Sequence, residues 1–180
     1  MNHKRVMLIA IVSDSHDMIP NLHRAVSLAN REGAEVMIHC GDLISPFMLS
    51  QLRRFQGQVH LIYGNNAGDQ HLISSRCQAM FENIRHHGLQ GEIEVDGLRI
   101  GFIHYPETAL GLACTGKYDV VCCGHNHEYQ VERIGNCLLV NPGDLLGKED
   151  IPGFILLDTA TLETRRIQAG ELLVFDDDLL

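Results

Sequence analysis

Positive charge is scarce in this 180-residue chain: 14 Lys and Arg stand against 23 Asp and Glu, for a formal net charge of -9 and a pI of about 5.6. An acidic surface repels a phosphate backbone, so no nucleic-acid polymer is expected as a partner. A small phosphorylated substrate remains compatible with that charge, because a bound cation dominates the field around itself. Long apolar runs are missing too. No segment approaches the roughly 18 residues of a membrane span, so no membrane insertion is expected. The apolar run Val6 to Val12, behind Lys4 and Arg5, is short, and no A-x-A-like cleavage signal follows it. It reads as a buried strand rather than a signal peptide. The six cysteines (Cys40, Cys77, Cys114, Cys122, Cys123 and Cys137) include no C-x-x-C pair and no zinc-finger spacing. They read as reduced and mostly buried, which fits a cytoplasmic protein. Linkers, repeats and low-complexity segments are absent as well. Residues 1–170 therefore read as one domain, and 171–180, with Asp176, Asp177 and Asp178, as a solvated acidic tail.

What is present is the balance of a soluble globular protein, 45% hydrophobic and 21% charged, long enough for a substantial core. The first half alternates strand and helix. Strands are predicted at Arg5 to Val12, Glu35 to His39 and Val59 to Tyr63. A helix is predicted over Pro20 to Glu32, where Leu22, Ala25, Val26 and Ala29 recur at helical spacing and Gly33 stops it. Pro46 opens another helix, carrying Met48, Leu49 and Leu52. Such β-α-β order predicts parallel strands with right-handed crossovers. The second half is richer in strand: Glu92 to Val95 and Leu98 to Ile103 flank the hairpin signal Asp96-Gly97, and Tyr129 to Ile134 and Cys137 to Val140 flank Gly135-Asn136. Further strands are predicted at Asp119 to Cys123, Gly153 to Asp158 and Glu163 to Gln168. The two halves together predict an α/β protein of two packed mixed sheets with helices outside.

The chemistry lies just past the strand ends. Five predicted strands run into Asp14-Ser15-His16, Gly41-Asp42, Gly64-Asn65-Asn66, His104 and Gly124-His125-Asn126-His127 respectively. The carboxyl edge of such sheets is where ligands bind. Asp and Asn offer hard oxygen donors and His borderline nitrogen donors, a mixture suited to manganese, iron, zinc or nickel rather than calcium. D-x-H and H-x-H place two donors one residue apart, where an extended loop would let them face the same side. Singly, each motif is an ordinary turn or a solvated histidine; the argument rests on all five occurring in order.

At these residues the chain resembles the calcineurin-like metallophosphoesterases, above all the small bacterial and archaeal phosphodiesterases of the YfcE/MJ0936 type. Asn141-Pro142-Gly143 resembles the N-P-G loop of that subgroup, with Asp144 where Ser is usual. The resemblance implies a four-layer αββα sandwich with two divalent transition-metal ions at the sheet edge, manganese first, with nickel, iron or zinc as alternatives. Asp14, His16, Asp42 and His127 would hold one ion and Asp42, Asn65, His104 and His125 the other, with Asp42 shared. It further implies a phosphodiesterase acting on a small phosphate ester, by in-line attack of a metal-bridging hydroxide. Asp42, Asn65, Asn66 and His104 are the candidate catalytic residues.

Two departures bear on substrate. Larger members carry a His after the G-N asparagine, placed to protonate the leaving group. Here that position is Asn66, which cannot serve as an acid, so good leaving groups are favoured. His71 and Glu107 are the other candidate proton donors. The subgroup's T-H-G-H becomes Ile103-His104-Tyr105-Pro106 here, which keeps the ligand and loses the second His. His39 is a candidate partner of the ligand loops, and His86-His87 reads as a surface loop. The alternatives are a phosphomonoesterase of the same fold and a non-catalytic interaction scaffold like the retromer-subunit branch, which has lost part of the metal set. A homodimer or homotetramer is in keeping with the small members.

Overall fold

The computed structural model describes residues 7–148 and 150–171. Arg5 and Val6 of the first predicted strand, and the predicted tail past residue 171, lie outside them. The chain order is β1 (Leu8–Val12), α1 (Ile19–Arg31), β2 (Val36–His39), one 3-10 turn (Pro46–Met48) leading into α2 (Leu49–Leu52), β3 (Gln58–Leu61), α3 (Gln70–Met80), β4 (Ile84–His86), β5 (Gln90–Val95), β6 (Leu98–Ile103), α4 (Pro106–Cys114), β7 (Val120–Cys122), β8 (Tyr129–Ile134), β9 (Cys137–Pro142), β10 (Gly153–Asp158) and β11 (Thr164–Gln168).

Two mixed sheets result. The first has six strands in the order β11-β10-β1-β2-β3-β4, with β1 to β4 parallel and β10 and β11 antiparallel additions. The second has five in the order β5-β6-β7-β9-β8, parallel at its centre and closed at each side by an antiparallel hairpin. Both hairpin signals are real: Val95 pairs with Leu98 around Asp96-Gly97, and Ile134 with Cys137 around Gly135-Asn136. Asp96 and Gly97 both adopt positive φ (54° and 80°), as a tight primed turn requires.

Alternation within the strands builds the layers. Ile9 and Ile11 of β1 point between the sheets, with Ile38, Phe102, Val120, Val140 and Ile155. Ala10 and Val12 point the other way, onto Leu22, Val26, Leu49 and Leu52 of the helices outside the first sheet. The second sheet repeats this: Cys122 joins the core between the sheets, while Cys123 packs beneath α4 with Ala109 and Ala113. The adjacent cysteines thus face opposite ways, as pleating demands. All six cysteines are free, and only Cys114 is exposed. Each fully buried Ile or Leu contributes about 1.5–3 kcal/mol through burial. Helix α1 forms where its pattern predicts, and Gly33 beyond its end takes the left-handed conformation (φ 79°) that stops it.

Two expectations change. His86 and His87 are not a surface loop: His86 ends β4, both rings are half-buried, and His87 Nε2 lies 2.9 Å from His60 Nδ1. Burial pushes His60 and His86 down to about 4, so both rings are neutral. Helices α3 and α4 and the short strand β4 are additions to the predicted elements.

Candidate metal centre

The carboxyl ends of β1, β2, β3, β6 and β7 meet at one edge of the sandwich, and the five ligand motifs meet with them. Asp14 and Asp42 are buried, at 0% and 2% exposure. Asp14 Oδ1 lies 3.6 Å from His16 Nε2, 3.5 Å from His127 Nε2 and 4.0 Å from His104 Nε2. Asp42 Oδ2 lies 3.5 Å from His16 Nε2, and its Oδ1 lies 3.5 Å from His104 Nε2. Asn65 Oδ1 sits 2.9 Å from His104 Nε2 and 2.8 Å from His125 Nδ1. All seven predicted ligand residues are therefore brought together, with Asp42 between His16 and His104. Two sets of donor atoms, Asp14–His16–His127 and Asp14–Asp42–His104, each lie within 4.8 Å of one another, close enough to share an ion.

Backbone conformation does much of the aiming, and not as an extended loop. Asp14, His16, Asp42, His125 and His127 all take positive φ, between 39° and 73°. Five of the seven candidate ligands are thus in the left-handed region, a conformation that non-glycine residues occupy at about 1–3 kcal/mol each and that clusters at functional sites. The D-x-H and H-x-H side chains converge because the chain turns sharply at each ligand. Glycine enters by leaving space: a Cβ on Gly64 would lie 2.0 Å from Asp42 Oδ1, and one on Gly124 would lie 2.4 Å from Asp14 Oδ2.

Surrounding groups fix each ligand. His104 Nδ1 lies 2.8 Å from the Cys40 carbonyl, so it carries the ring proton and donates it there. That leaves the Nε2 lone pair facing the Asn65 oxygen, two acceptors together, a geometry that calls for a cation or a proton between them. Asp14 Oδ1 and His16 Nε2 are likewise buried without a hydrogen-bond partner among the described residues. Such orphaned acceptors, in a mixed O and N donor set, fit divalent transition metals. Asp14 Oδ2 accepts from Ser13 Oγ (2.5 Å) and from the His125 N–H (2.9 Å). Asn66 donates twice to Asp42, from its backbone N–H (2.8 Å) and its amide (2.7 Å). The Asn66 amide is thus committed to holding Asp42 rather than to a leaving group. His71 and Glu107 are exposed on the first turns of α3 and α4.

Electrostatics follow this packing. Burial opposes ionisation of Asp14, but His127, His16 and Ser13 outweigh it and hold the carboxyl well below the usual range. Burial likewise opposes ionisation of Asp42, and His104 and Asn66 prevail. His127 is pushed up to about 10 by Asp14 first and Asp144 second. His39 is fully buried and pushed down to about 4 by desolvation. Its Nδ1 accepts from the Gly41 N–H (3.3 Å), so its protonated Nε2 faces Ser15 Oγ (3.1 Å) and ties the first two ligand loops together. Asn141 braces the fifth, its amide donating to the Gly124 carbonyl (3.0 Å) and to Asn126 Oδ1 (2.7 Å). Asp144, noticed in the sequence only as an unusual residue, stands buried with Oδ2 2.8 Å from His127 Nδ1. No short-range signal marks that contact, which spans 17 positions. Tyr105 is 40% exposed, with its ring 4.9 Å from that of His125 and 5.3 Å from that of His104.

Candidate metal donors of this kind at the edge of a two-sheet sandwich are the arrangement expected of a metallophosphoesterase. Residues 7–162 match the calcineurin-like phosphoesterase superfamily domain, and the chain belongs to that family. It is 33% identical over 167 residues to phosphodiesterase MJ0936 of Methanocaldococcus jannaschii, covering 89% of this chain and 98% of that one. A solved structure described as a novel archaeal phosphodiesterase superposes with a TM-score of 0.84 at 33% identity, over 90% of this chain and 99% of the other. Vps29 of Chaetomium thermophilum shares the fold, with a TM-score of 0.65 at 16% identity over 92% of this chain and 99% of its own.

Proposed function

We propose that this chain is a metal-dependent phosphodiesterase that hydrolyses a small phosphate ester at a centre of two divalent cations. Asp14, His16, Asp42 and His127 would hold one ion, and Asp42, Asn65, His104 and His125 would hold the other. The observation that carries this is the convergence of the donors on two buried carboxylates: Asp42 lies 3.5 Å from both His16 and His104, Asp14 is common to both close donor clusters, and Asp14 Oδ1 and His16 Nε2 are buried without a hydrogen-bond partner among the described residues. The phosphodiesterase activity named for the 33% identical relative supports the choice of ester. Manganese suits the O and N donor set, with nickel, iron and zinc as alternatives.

Divalent ions held by these residues would supply an activated water as nucleophile and positive charge for the phosphate oxygens. The chain's own residues do the rest. Asp42 is the shared carboxylate, and Asn66 keeps its two oxygens oriented. His104, with its proton held by Cys40, presents a lone pair. Asn65 Oδ1 is placed between two imidazoles. No strong acid stands where Asn66 lies, so esters with good leaving groups, such as aryl diesters, react best.

The scaffold reading is the second possibility, given the Vps29 likeness. The complete set of seven candidate ligand positions favours catalysis. We further propose one metallophosphoesterase domain over residues 1–170, an acidic tail over 171–180 and a cytoplasmic location, in keeping with six free cysteines. Among the described residues no helix is long and apolar enough to cross a membrane.

The test is hydrolysis of bis(p-nitrophenyl) phosphate by the purified protein with manganese, abolished by EDTA. Asp42→Asn and His104→Ala should each lower the rate by about 100-fold or more. Unchanged activity in either variant refutes the site. Partner binding that survives chelation, with no ester turned over, favours the scaffold.

A further inference from the structure

The structure assigns Asp144 a positioning role: through His127 it makes the two cation positions unequal, so that the position served by His127 is the tighter and fills first. This rests on the two-cation reading above. Asp144 is 3% exposed and rigidly seated. Its Oδ1 accepts the Gly147 N–H (2.7 Å), its backbone carbonyl accepts from Gly153 (3.0 Å), and the next N–H, that of Leu145, bonds the carbonyls of Ser13 (3.1 Å) and Asp14 (3.2 Å). The turn carrying Asp144 is thereby fastened to the loop carrying Asp14.

Its remaining oxygen, Oδ2, makes no hydrogen bond among the described residues but stands within ion-pair distance, 2.8 Å, of His127 Nδ1. A lone pair on Nδ1 would face a carboxylate oxygen at that distance, so Nδ1 carries the ring proton and Nε2 keeps its lone pair toward Asp14 Oδ1, 3.5 Å away. His104 is oriented the same way, but by the neutral Cys40 carbonyl. The difference matters because an imidazole giving electrons to a cation gains positive character. A carboxylate behind the ring stabilises that charge more than a carbonyl does and makes the nitrogen a stronger donor. Formal charge acts in the same direction. The His127 position has Asp14 and Asp42 in contact and Asp144 behind, whereas the His125 position has Asp42 and the neutral Asn65.

The experiment is a calorimetric titration of the metal-free full-length protein with manganese. Wild type is expected to bind two ions with distinct affinities. Asp144→Asn keeps an oxygen for Gly147 but turns an N–H toward Nδ1, favouring the tautomer with Nε2 blocked. It should weaken the tighter class by about 10- to 100-fold and leave the weaker class within about twofold. Asp144→Ser removes the charge without supplying an amide and should act in the same direction. Combining Asp144→Asn with His127→Gln should weaken binding no further than His127→Gln alone, because Asp144 acts through that ring. Melting curves of the metal-free variants establish that they fold. Two classes unchanged in both Asp144 variants overturn the proposal while the two-cation reading stands, as does equal weakening of both classes. Fewer than two ions on wild type removes the reading itself, and the proposal with it.

Discussion

Gly64 offers the sharpest test of how tightly the centre is built. Its backbone is not left-handed, so alanine meets no conformational penalty there, and any effect comes from the added methyl alone. That methyl would stand 2.0 Å from Asp42 Oδ1, 2.7 Å from the Asp42 backbone nitrogen and 2.8 Å from His104 Nε2. To regain van der Waals contact the Asp42 carboxylate must withdraw by about 1 Å or more, and Asn66, which bonds both its oxygens, must follow. A displacement of about 1 Å at a reacting centre costs on the order of 100-fold in rate. Gly64→Ala should therefore lose about that much activity on bis(p-nitrophenyl) phosphate. Its thermal unfolding should fall as well, because the methyl also meets the Asp42 backbone nitrogen at 2.7 Å, which cannot swing aside as a side chain can. Gly111→Ala is the matched control. Nothing lies within 4 Å of that Cβ in the middle of α4, so activity is kept and stability rises by about 0.5–1 kcal/mol. Gly64→Ala within twofold of wild type would show that Asp42 moves freely, and the account of a rigid shared carboxylate would fail.

Two further outcomes follow from contacts described above. Asn66→Ala removes the amide that bonds Asp42 Oδ2 but keeps the backbone donor, so manganese affinity should fall by about 10-fold; calorimetry reading an unchanged affinity would deny Asn66 its holding role. The neutral His39, at about 4 when folded against an ordinary 6.5, makes the metal-free fold acid-sensitive. Its share of stability is complete above about pH 6.5 and is lost as the unfolded chain takes up the proton on the way down to about 4, some ~2 kcal/mol between pH 7 and pH 5. Urea midpoints at those two values should therefore shift less in His39→Gln than in wild type, and equal shifts would count against it.

The fold was legible where an element buries a patterned face, flanks a hairpin signal or forms an apolar run between turns. Leu22, Ala25, Val26 and Ala29 mark α1, and the strands Leu98–Ile103, Tyr129–Ile134 and Gly153–Asp158 fall where their patterns place them. Helix α3 escaped because only Ile73 and Cys77 of its eleven residues are buried, too thin a stripe to stand out. Helix α4 leans on Ala109 and Ala113, whose small side chains carry little pattern, and Gly111 interrupts it. Strand β4, three residues at a sheet edge, has no room to show alternation. The candidate ligands stood out because each follows a strand. The left-handed backbone at five of them did not, since that conformation belongs to the assembled loops and not to the preferences of Asp or His. The Asp144 contact was hidden for the same reason: the N-P-G turn brings it to His127 across the sandwich edge.

Asp14, His16, Asp42 and Asn65 follow strands of one sheet, and His104, His125 and His127 follow strands of the other. Neither slab owns a working centre. Like two jaws, they meet at a bite only when Ile11, Ile38, Phe102, Val120 and Ile155 lock them face to face. Slippage between the slabs would pull His104, His125 and His127 away from Asp14, His16, Asp42 and Asn65. Reactivity in such a molecule is a gauge of how well its two halves are seated.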